Sequence, residues 1–287
     1  MVEWETIPFL SEKNLRAVIK NLLSDEGIKP RKKLSQSFLV DANELRFIAD
    51  NVGSVAKESR CMVEIGAGVG NLTAFLASLN TAKEIIAIEV DSRFAKILKK
   101  MQEAFPNTDV IISDAREALP SIRGCEVIVG NLPYHIASTL LVLIAKSMAK
   151  VAVVMVQKEV AERLTAKEGS KRYGKLTVFM QHHFNIEYIK TVPSYKFYPK
   201  PKVDSAIILL QRKKEFDKFS ELLEHLIRCL FSYRKKILGK AIKKCVNILQ
   251  PHALEGLQHL WRKRVYQLSV KELEELVYTI AKQEMKN

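Results

Sequence analysis

The sequence lacks the marks of several common protein classes. No uncharged apolar stretch reaches the about 18 residues of a membrane-spanning helix, and the longest apolar runs, such as 151–156, have strand length. Only four cysteines occur, none in a CxxC pair and none with a histidine at ligand spacing. These absences predict a chain that does not span a membrane, holds no metal and has no disulfide framework.

Acidic side chains are also scarce. The chain carries 46 Lys and Arg against 32 Asp and Glu, a net charge of +14. This excess predicts a polyanionic partner, because neutralising phosphates releases condensed counterions, although a lysine-rich surface also serves solubility. The first ten residues include Glu3 and Glu5 and lack the basic-then-apolar pattern of a secretion signal, which predicts a cytoplasmic protein.

Strand and helix patterns alternate through the middle of the chain. Apolar runs of strand length lie at 61–65, 85–90, 110–112, 127–129 and 151–156, with helical periodicity between them. Such alternation predicts a parallel sheet with helices on both faces. The runs 177–184, 186–192 and 203–211 follow without helices between them, and they predict an antiparallel edge of the sheet.

Two segments fall outside this pattern. Residues 1–33 have helical spacing over 11–23 and a break at Gly27 and Pro30, before the basic Arg31, Lys32 and Lys33. After Gln211 the period becomes helical, and Ser269 with Glu272 forms a capping box ahead of the last helix. The sequence therefore predicts an N-terminal extension (1–33), an α/β domain (34–211) and a small all-helical domain (212–287).

A glycine-rich loop joins the first regular strand to its helix. Gly66 and Gly68 belong to a G-x-G-x-G pattern, which lets the backbone turn sharply and approach a ligand. Glu89 ends the second strand, where a carboxylate can accept hydrogen bonds from both ribose hydroxyls. Asp114 follows the third strand and can either accept from an adenine amino group or cap a short helix. The ligand is expected to contain adenosine, and both NAD and S-adenosylmethionine satisfy that.

The tetrapeptide Asn131-Leu132-Pro133-Tyr134 ends the fourth strand. The amino nitrogen of adenine is a poor nucleophile because its lone pair is delocalised into the ring. The side-chain oxygen of Asn131 and the carbonyl of Leu132 can accept its two N–H groups and hold it for attack on a methyl group. Pro133 fixes the turn, and Tyr134 offers a ring on which an extruded base can stack. This tetrapeptide predicts methylation of adenine N6.

The chain resembles the family of ribosomal RNA adenine dimethyltransferases, from about residue 30 to its C-terminus. The resemblance rests on several motifs together: Leu34-Ser35-Gln36-Ser37-Phe38-Leu39, the glycine loop, Ile88-Glu89, Ser113-Asp114, Asn131-Leu132-Pro133-Tyr134, Gln157-Lys158-Glu159-Val160, Tyr173-Gly174-Lys175-Leu176, the segment from Phe197 to Ala206, and Phe231 to Lys236. The sequences of residues 166–169 and 197–199 are similar to those of archaeal members. The family resemblance implies a Rossmann-like class I methyltransferase fold with a helical C-terminal domain.

The resemblance also implies roles for individual residues. Contacts to S-adenosylmethionine carry over to Gln36, Ser37, Leu39, Gly66, Gly68, Glu89, Asp114 and Asn131. Phe197 carries over as a second aromatic wall for the target base, in a proline-flanked loop with little core to fill. Ser37 stands where many relatives have Asn, and His135 stands where they often have Asn or Gln. We interpret His135 as a loop residue, and His182 and His183 as structural residues of a strand.

Basic residues are concentrated in the C-terminal third. Seven of them, and no acidic residue, lie between 228 and 244: Arg228, Arg234, Lys235, Lys236, Lys240, Lys243 and Lys244. Lys196, Lys200 and Lys202 surround Phe197, which places charge beside an aromatic ring. These residues are expected to contact RNA phosphates. A third cluster, Arg262 to Arg264, fits RNA phosphate contacts and a solvated helical face equally well.

The predicted function is transfer of methyl groups from S-adenosylmethionine to two adjacent adenosines near the 3′ end of small-subunit rRNA. The partner is expected to be that rRNA or the pre-ribosomal small subunit, and the enzyme is expected to be a monomer. Alternatives are methylation of a large-subunit rRNA adenine and a non-catalytic assembly or transcription factor on the same fold. An NAD-linked oxidoreductase is disfavoured by the glycine spacing and by the tetrapeptide at 131–134.

Overall fold

The computed structural model describes residues 3–56, 59–78, 82–245 and 256–284. The chain forms two compact units, one comprising Met1–Ala161 with Glu187–Arg212 and the other Glu162–Ile186 with Lys213–Asn287. The sequence placed a boundary at 211, one residue from the end of the first unit. It did not predict that residues 162–186 group with the C-terminal segment.

Seven strands form one sheet: β2 (Cys61–Ile65), β3 (Glu84–Glu89), β4 (Thr108–Ile112), β5 (Val127–Asn131), β6 (Val151–Gln157), β7 (Phe184–Val192) and β9 (Ser205–Arg212). Their order is β4-β3-β2-β5-β6-β9-β7, and all of them belong to the first unit except residues 184–186 of β7. The pairs among β2 to β6 are parallel, and β9 runs antiparallel to β6 from Ser205 beside Gln157 to Gln211 beside Val151. The predicted Rossmann-like fold and its antiparallel edge are confirmed.

A second, two-stranded sheet pairs β1 (Phe38–Leu39) with β8 (Phe197–Tyr198). Helices cover the larger sheet: α1 (Glu12–Asp25), α2 (Ala42–Val55), α3 (Asn71–Ala77), α4 (Ala95–Ala104), α5 (Ala115–Ala118), α6 (Ala137–Lys146) and α7 (Lys158–Leu164). Side chains of Ser11 and Asp41 cap α1 and α2 by accepting backbone N–H groups. The predicted helices at 11–23 and 71–79 correspond to α1 and α3, and Leu79 lies outside the described residues.

The N-terminal extension is part of the first unit's core. Trp4, Ile7, Leu15 and Ile19 are buried and belong to the same hydrophobic cluster as sheet residues such as Val129. The apolar face of α1 is covered by this cluster, which stabilises a helix that would be marginal alone. The expectation that residues 1–33 form an appendage is wrong.

The second unit is helical, with α8 (Lys175–His183), α9 (Lys218–Leu230), α10 (Leu238–Cys245) and α11 (Val270–Glu284). Helix α9 packs against the other three through Leu223, Leu226, Ile227 and Leu230. The predicted capping box of α11 is confirmed by the bonds Ser269 N–Glu272 Oε2 (2.9 Å) and Glu272 N–Ser269 Oγ (3.2 Å). Among the described residues, no helix is both long and apolar enough to cross a membrane.

The predicted strand at 177–184 is wrong, because residues 175–183 form helix α8. Val178, Phe179, Met180, His182 and His183 are all buried, so apolar positions do not recur with the period of a half-exposed helix. A helix buried on most sides resembles a strand in sequence. Both histidines are buried, and burial lowers the pKa of His182, whose Nδ1 lies 2.6 Å from Glu274.

The expectation that the cysteines form no disulfides is also wrong. Cys61 pairs with Cys125 and Cys229 with Cys245, with Cα atoms 4.5 and 5.6 Å apart. Cys61 begins β2, and Cys125 lies two residues before β5, which is the neighbour of β2 in the sheet. The topology brings these cysteines together across 64 residues, and their spacing in the sequence carries no sign of it.

Candidate active site

A pocket of about 1000 Å³, including its open mouth, lies in the first unit at the carboxyl ends of the central strands. Strand order reverses between β2 and β5, which is the place where open α/β sheets bind ligands. Eight residues expected to bind a cofactor all line this pocket: Gln36, Ser37, Leu39, Gly66, Gly68, Glu89, Asp114 and Asn131. The fold brings together residues that are spread over almost 100 positions of the chain.

The floor of the pocket is the glycine loop after β2. Gly66 and Gly68 have φ of +81° and +59°, a region that costs other residues free energy. A Cβ on Gly68 would lie 2.9 Å from the Phe38 ring, and a Cβ on Gly130 would collide with the carbonyl oxygen of Ile65. Glycine at these positions keeps the backbone of three neighbouring segments close together around the ligand space.

Glu89 ends β3 and is 6% exposed. Its Oε2 accepts the N–H of Gly68 and its Oε1 accepts the N–H of Asp91, both at 2.8 Å. Burial raises the pKa of this carboxyl, and the backbone hydrogen bonds partly offset the rise. Each oxygen retains acceptor capacity, so Glu89 can receive two hydroxyl groups of a ribose while it holds the glycine loop.

The segment from Leu34 to Leu39 forms one wall. Gln36 is held at both ends of its amide, since Oε1 accepts from Arg31 N (2.7 Å) and Nε2 donates to Asp91 Oδ2 (2.8 Å). The hydroxyl of Ser37 donates to the carbonyl oxygen of Pro199 (2.5 Å), and the Leu39 carbonyl accepts from Asn71 Nδ2 (2.6 Å). Gln36 and Ser37 are thus committed to shaping the wall.

A contact absent from the predictions links this wall to the loop after β5. Ser35 adopts φ of +53° and is the one described non-glycine residue with positive φ. Its Oγ lies 3.1 Å from Nδ1 of His135, which belongs to a short 3-10 helix over Tyr134–Ile136 and not to the expected loop. Both residues line the pocket.

Asp114 fills one of the two roles that the sequence left open, the cap of a short helix, and its contact with an adenine amino group stays a prediction. Its Oδ1 caps α5 by accepting the N–H of Arg116 (2.8 Å), and the residue also lines the pocket. The Arg116 guanidinium, 2.6 Å from Oδ2, lowers the pKa of Asp114. Asp114 is therefore an anionic acceptor fixed at the pocket edge.

Asn131 differs from the other polar groups of the pocket. Its Nδ2 donates to the Ser37 carbonyl oxygen (3.0 Å), which can only accept, so the orientation of the amide is set. Its Oδ1 is buried and accepts no hydrogen bond from any described residue. A buried acceptor without a partner costs about 1–3 kcal/mol. The site thus contains one unmet acceptor, in a pocket large enough for a ligand.

Tyr134 follows in the same loop and is half-buried. Its hydroxyl lies 2.5 Å from Oγ of Ser205, the fully buried first residue of β9. Burial raises the pKa of Tyr134, so the phenol remains neutral. The sequence had given Ser205 no role, although Ser205 lies in one of the motifs that carry the resemblance. Leu132 is fully buried, and its N–H donates to the Met155 carbonyl (2.9 Å).

Phe197 is placed differently from the expectation. It pairs with Leu39 across the β1–β8 sheet, is 1% exposed and belongs to the hydrophobic core of the first unit. The argument that this ring has little core to fill is therefore wrong. Its role as a wall for the target base stays a prediction.

One further carboxyl was missed by sequence reasoning. Glu64 in β2 is 1% exposed, lines the pocket and accepts the Thr73 hydroxyl (2.6 Å). Burial raises its pKa to about 7. Its position inside an otherwise apolar strand, just before the glycine loop, was the available signal.

The predicted RNA-binding residues of the second unit separate into two groups. Lys235, Lys236, Lys240, Lys243 and Lys244 are exposed, as is Arg228, although Arg228 lies 3.0 Å from Glu224. The guanidinium of Arg234 instead donates to three carbonyl groups of the 170–173 loop and lies 5.3 Å from the Tyr266 ring. Arg234 therefore has an internal structural role.

The remaining predicted basic clusters differ in how exposed and how available their side chains are. In the first unit Lys200 and Lys202 are exposed, but Lys196 pairs with Asp41 (2.9 Å) and Glu44 (2.6 Å). The cluster at 262–264 lies beside the Lys235–Lys236 segment, since Val265 N donates to Lys236 O (3.0 Å). Two basic stretches that are distant in sequence are thus neighbours in the second unit.

Comparisons with known proteins agree with this geometry. The family model described as ribosomal RNA adenine dimethylase matches residues 27–281. A probable ribosomal RNA small subunit methyltransferase A of Thermococcus sibiricus is 34% identical over 267 residues, 89% of this chain and 94% of its own.

Among solved structures, a dimethyladenosine transferase from Plasmodium falciparum has a TM-score of 0.70 and 28% identity, covering 84% of this chain and 96% of its own. The 23S rRNA methyltransferase ErmE has a TM-score of 0.65 and 25% identity, over 85% of this chain and 99% of its own. The chain belongs to the ribosomal RNA adenine dimethylase family.

Proposed function

We propose that this protein methylates N6 of adenosine in small-subunit rRNA, with S-adenosylmethionine as donor, and that it modifies two adjacent adenosines near the 3′ end. The observation that carries the proposal is the buried, unmet Oδ1 of Asn131 in the same pocket as the Glu89 carboxylate. One group offers an acceptor for an amine, and the other offers acceptors for a ribose. The family and its curated relatives support the same reaction.

The residues of the pocket fit this donor. Glu89 would hold the ribose, and Asp114 would accept a hydrogen bond from the amino group of the donor's adenine. The glycine loop would accommodate the methionine moiety of the donor. Gln36, Ser37 and Leu39 would shape the opposite wall. When bound, S-adenosylmethionine supplies an electrophilic methyl group on a sulfonium.

Asn131 then prepares the nucleophile. Its Oδ1 accepts one N–H of the target amino group, and the carbonyl of Leu132 accepts the other, which draws the nitrogen toward tetrahedral geometry. The bond from Nδ2 to the Ser37 carbonyl keeps Oδ1 in place during this step. No residue is needed as a general base, because the N6 proton becomes acidic once the nitrogen is alkylated and leaves to water.

The ring of Tyr134 provides the stacking surface for the extruded base. Its bond to Ser205 fixes the ring before the base arrives, so less conformational freedom is lost on binding. RNA would be held by phosphate contacts from Lys200, Lys202 and the exposed lysines of the second unit. Recognition of folded RNA by shape and phosphate placement fits such contacts better than a code of base edges.

A large-subunit adenine is the second candidate substrate, because the structural neighbour ErmE acts on 23S rRNA by its name. The higher identity to small-subunit methyltransferases favours the first candidate. The experiment that tests both is radiolabelled methyl transfer to purified, unmodified small and large subunits, followed by nucleoside analysis. We expect N6,N6-dimethyladenosine from the small subunit alone. Label only in the large subunit, or in neither, would contradict the proposal.

A further inference from the structure

The turn that leads into the pocket wall carries a cluster of cations to which the proposed function gives no role. Four basic residues, and no acidic residue, lie between Gly27 and Val40. They are Lys29, Arg31, Lys32 and Lys33, here called the basic turn, and all four are exposed. The basic turn belongs to the first unit, whereas the exposed lysines between residues 235 and 244 belong to the second unit.

The basic turn is held firmly at the edge of the pocket. Leu34 N donates to Arg31 O (3.1 Å) and Ser35 N donates to Lys32 O (3.0 Å), which closes a short helical turn over 32–34. Arg31 N donates to Gln36 Oε1, and the same amide reaches Asp91. Leu34, Ser35 and Gln36 line the pocket, so the basic turn directly precedes the residues of the pocket wall in the chain.

The charge of the basic turn is not consumed by the protein. Among the described residues, Lys32 and Lys33 have no ion pair or hydrogen bond from their side chains. Arg31 Nη1 is 3.9 Å from Asp91 and its side chain is 57% exposed, whereas Arg93 lies 2.5 Å from the same carboxylate. Asp91 is therefore neutralised mainly by Arg93, and the turn keeps a net positive charge.

We propose that the basic turn binds phosphates of the RNA strand on either side of the adenosine that enters the pocket. This inference rests on the proposed function. A base that reaches Asn131 must bring its own backbone across the pocket rim, and wall residue Ser35 contacts the loop of Asn131 through His135. Cations beside a stacking ring are the combination by which proteins hold an unpaired strand.

The test removes two charges and keeps the side-chain bulk. Binding of the Lys32→Gln/Lys33→Gln variant to protein-free small-subunit rRNA is measured by fluorescence anisotropy over a range of salt concentrations. Each lost contact with a single strand lowers the salt slope by about 0.7, so the pair lowers it by about 1.4. From about 50 to about 200 mM salt, the wild type should then lose about sevenfold more affinity than the variant.

A matched control removes the same charge from the opposite edge of the same sheet. Arg60 and Lys83 are exposed and precede β2 and β3 at their amino ends. Arg60→Gln/Lys83→Gln should leave the slope unchanged. In both variants, the affinity for S-adenosylhomocysteine should stay at the wild-type value, because neither pair lines the pocket.

Three results would overturn the inference: a slope equal to that of the control variant, an equal loss of donor affinity, or an effect seen on intact subunits but not on protein-free rRNA. The second would make the lysines supports of the wall, and the third would indicate an acidic protein partner. Failure of the proposed function is separate, because it would appear in the wild type as absence of methyl transfer to small subunits.

Discussion

Glu89 and Asn131 end two strands on either side of β2, and they line the same pocket in opposite states. Both oxygens of Glu89 accept backbone N–H groups, while Oδ1 of Asn131 accepts none from the described residues. Glu89 is built into the protein before any ligand arrives. Asn131 carries a desolvation cost that a ligand with an N–H group would relieve.

This contrast distinguishes a group that binds the donor from a group that binds the reacting amine. A donor site gains from groups that the fold already orients, because less order must be imposed on binding. A reacting amine gains from an acceptor that finds its partner only when the amine is in place. The same pocket therefore contains a finished half around Glu89, whose oxygens already accept hydrogen bonds, and an incomplete half around Asn131, whose Oδ1 accepts none from the described residues.

The largest expected effect breaks the incomplete half. Asn131→Ala removes the unmet acceptor, and methyl transfer to small subunits should fall by about 10²–10³-fold in single-turnover assays. RNA and donor affinities should each change by less than about threefold, because phosphate contacts would hold most of the RNA, and Glu89 and Asp114 would hold most of the donor. Retained activity would remove Asn131 from the mechanism, and a parallel loss of donor binding would make it part of the finished half.

A third polar group, Glu64, sharpens the comparison through pH. Its folded-state pKa of about 7 exceeds its ordinary value of 4.5. The proton it holds thus contributes stability fully below pH 4.5, and this contribution is lost as pH rises through 7. Relative to the wild type, Glu64→Gln should become more stable by about 3 kcal/mol between acid pH and pH 8 in urea unfolding.

The control for that titration is Glu84→Gln, at the exposed start of β3. This variant makes the same substitution at the protein surface. A pH-independent difference for Glu64→Gln would mean that folding does not raise the pKa of Glu64.

A smaller effect is expected in the finished half. Glu89→Gln removes the negative charge, keeps one carbonyl acceptor and turns an NH2 group toward one of the two backbone N–H groups that the carboxylate accepts. Hydrogen bonds to charged groups exceed neutral ones by about 1 kcal/mol or more. Donor affinity, measured by calorimetry, should fall by about tenfold, and the rate with saturating donor should change little. An unchanged affinity would mean that the ribose lies elsewhere.

The smallest effect concerns the stacking ring. Tyr134→Phe and Ser205→Ala each remove the same hydrogen bond and keep the ring, so each should lower the rate by about fivefold. The double variant should be no worse than either single variant, since the two residues act through one bond. Additive losses in this double-mutant cycle would show that Ser205 does not act by positioning Tyr134.

The sequence predicted the residues of the pocket well and the roles of the basic residues less well, for a physical reason. Gly66, Glu89 and Asn131 lie at ends of parallel strands, and parallel strands bring such ends to one edge whatever the loops do. Lys196 and Arg234 look like the exposed lysines around them, and only the fold shows that their charges are used internally.

Burial was equally hard to predict where it depends on distant partners. Phe197 is covered through its pairing with Leu39, and the cysteine pairs form only because the fold makes their segments neighbours. Residues 175–183 are buried on most sides, which erased the helical period. Local patterns report the strand ends, whereas contacts between distant segments decide which side chains remain available.

The central claim is that Oδ1 of Asn131 receives the target amine, and a structure with S-adenosylhomocysteine and a bound rRNA fragment tests it most directly. The account predicts that N6 of an extruded adenine lies about 3 Å from this oxygen, with the base against the Tyr134 ring. An adenine bound elsewhere in the pocket, with Asn131 still lacking a partner, would contradict it.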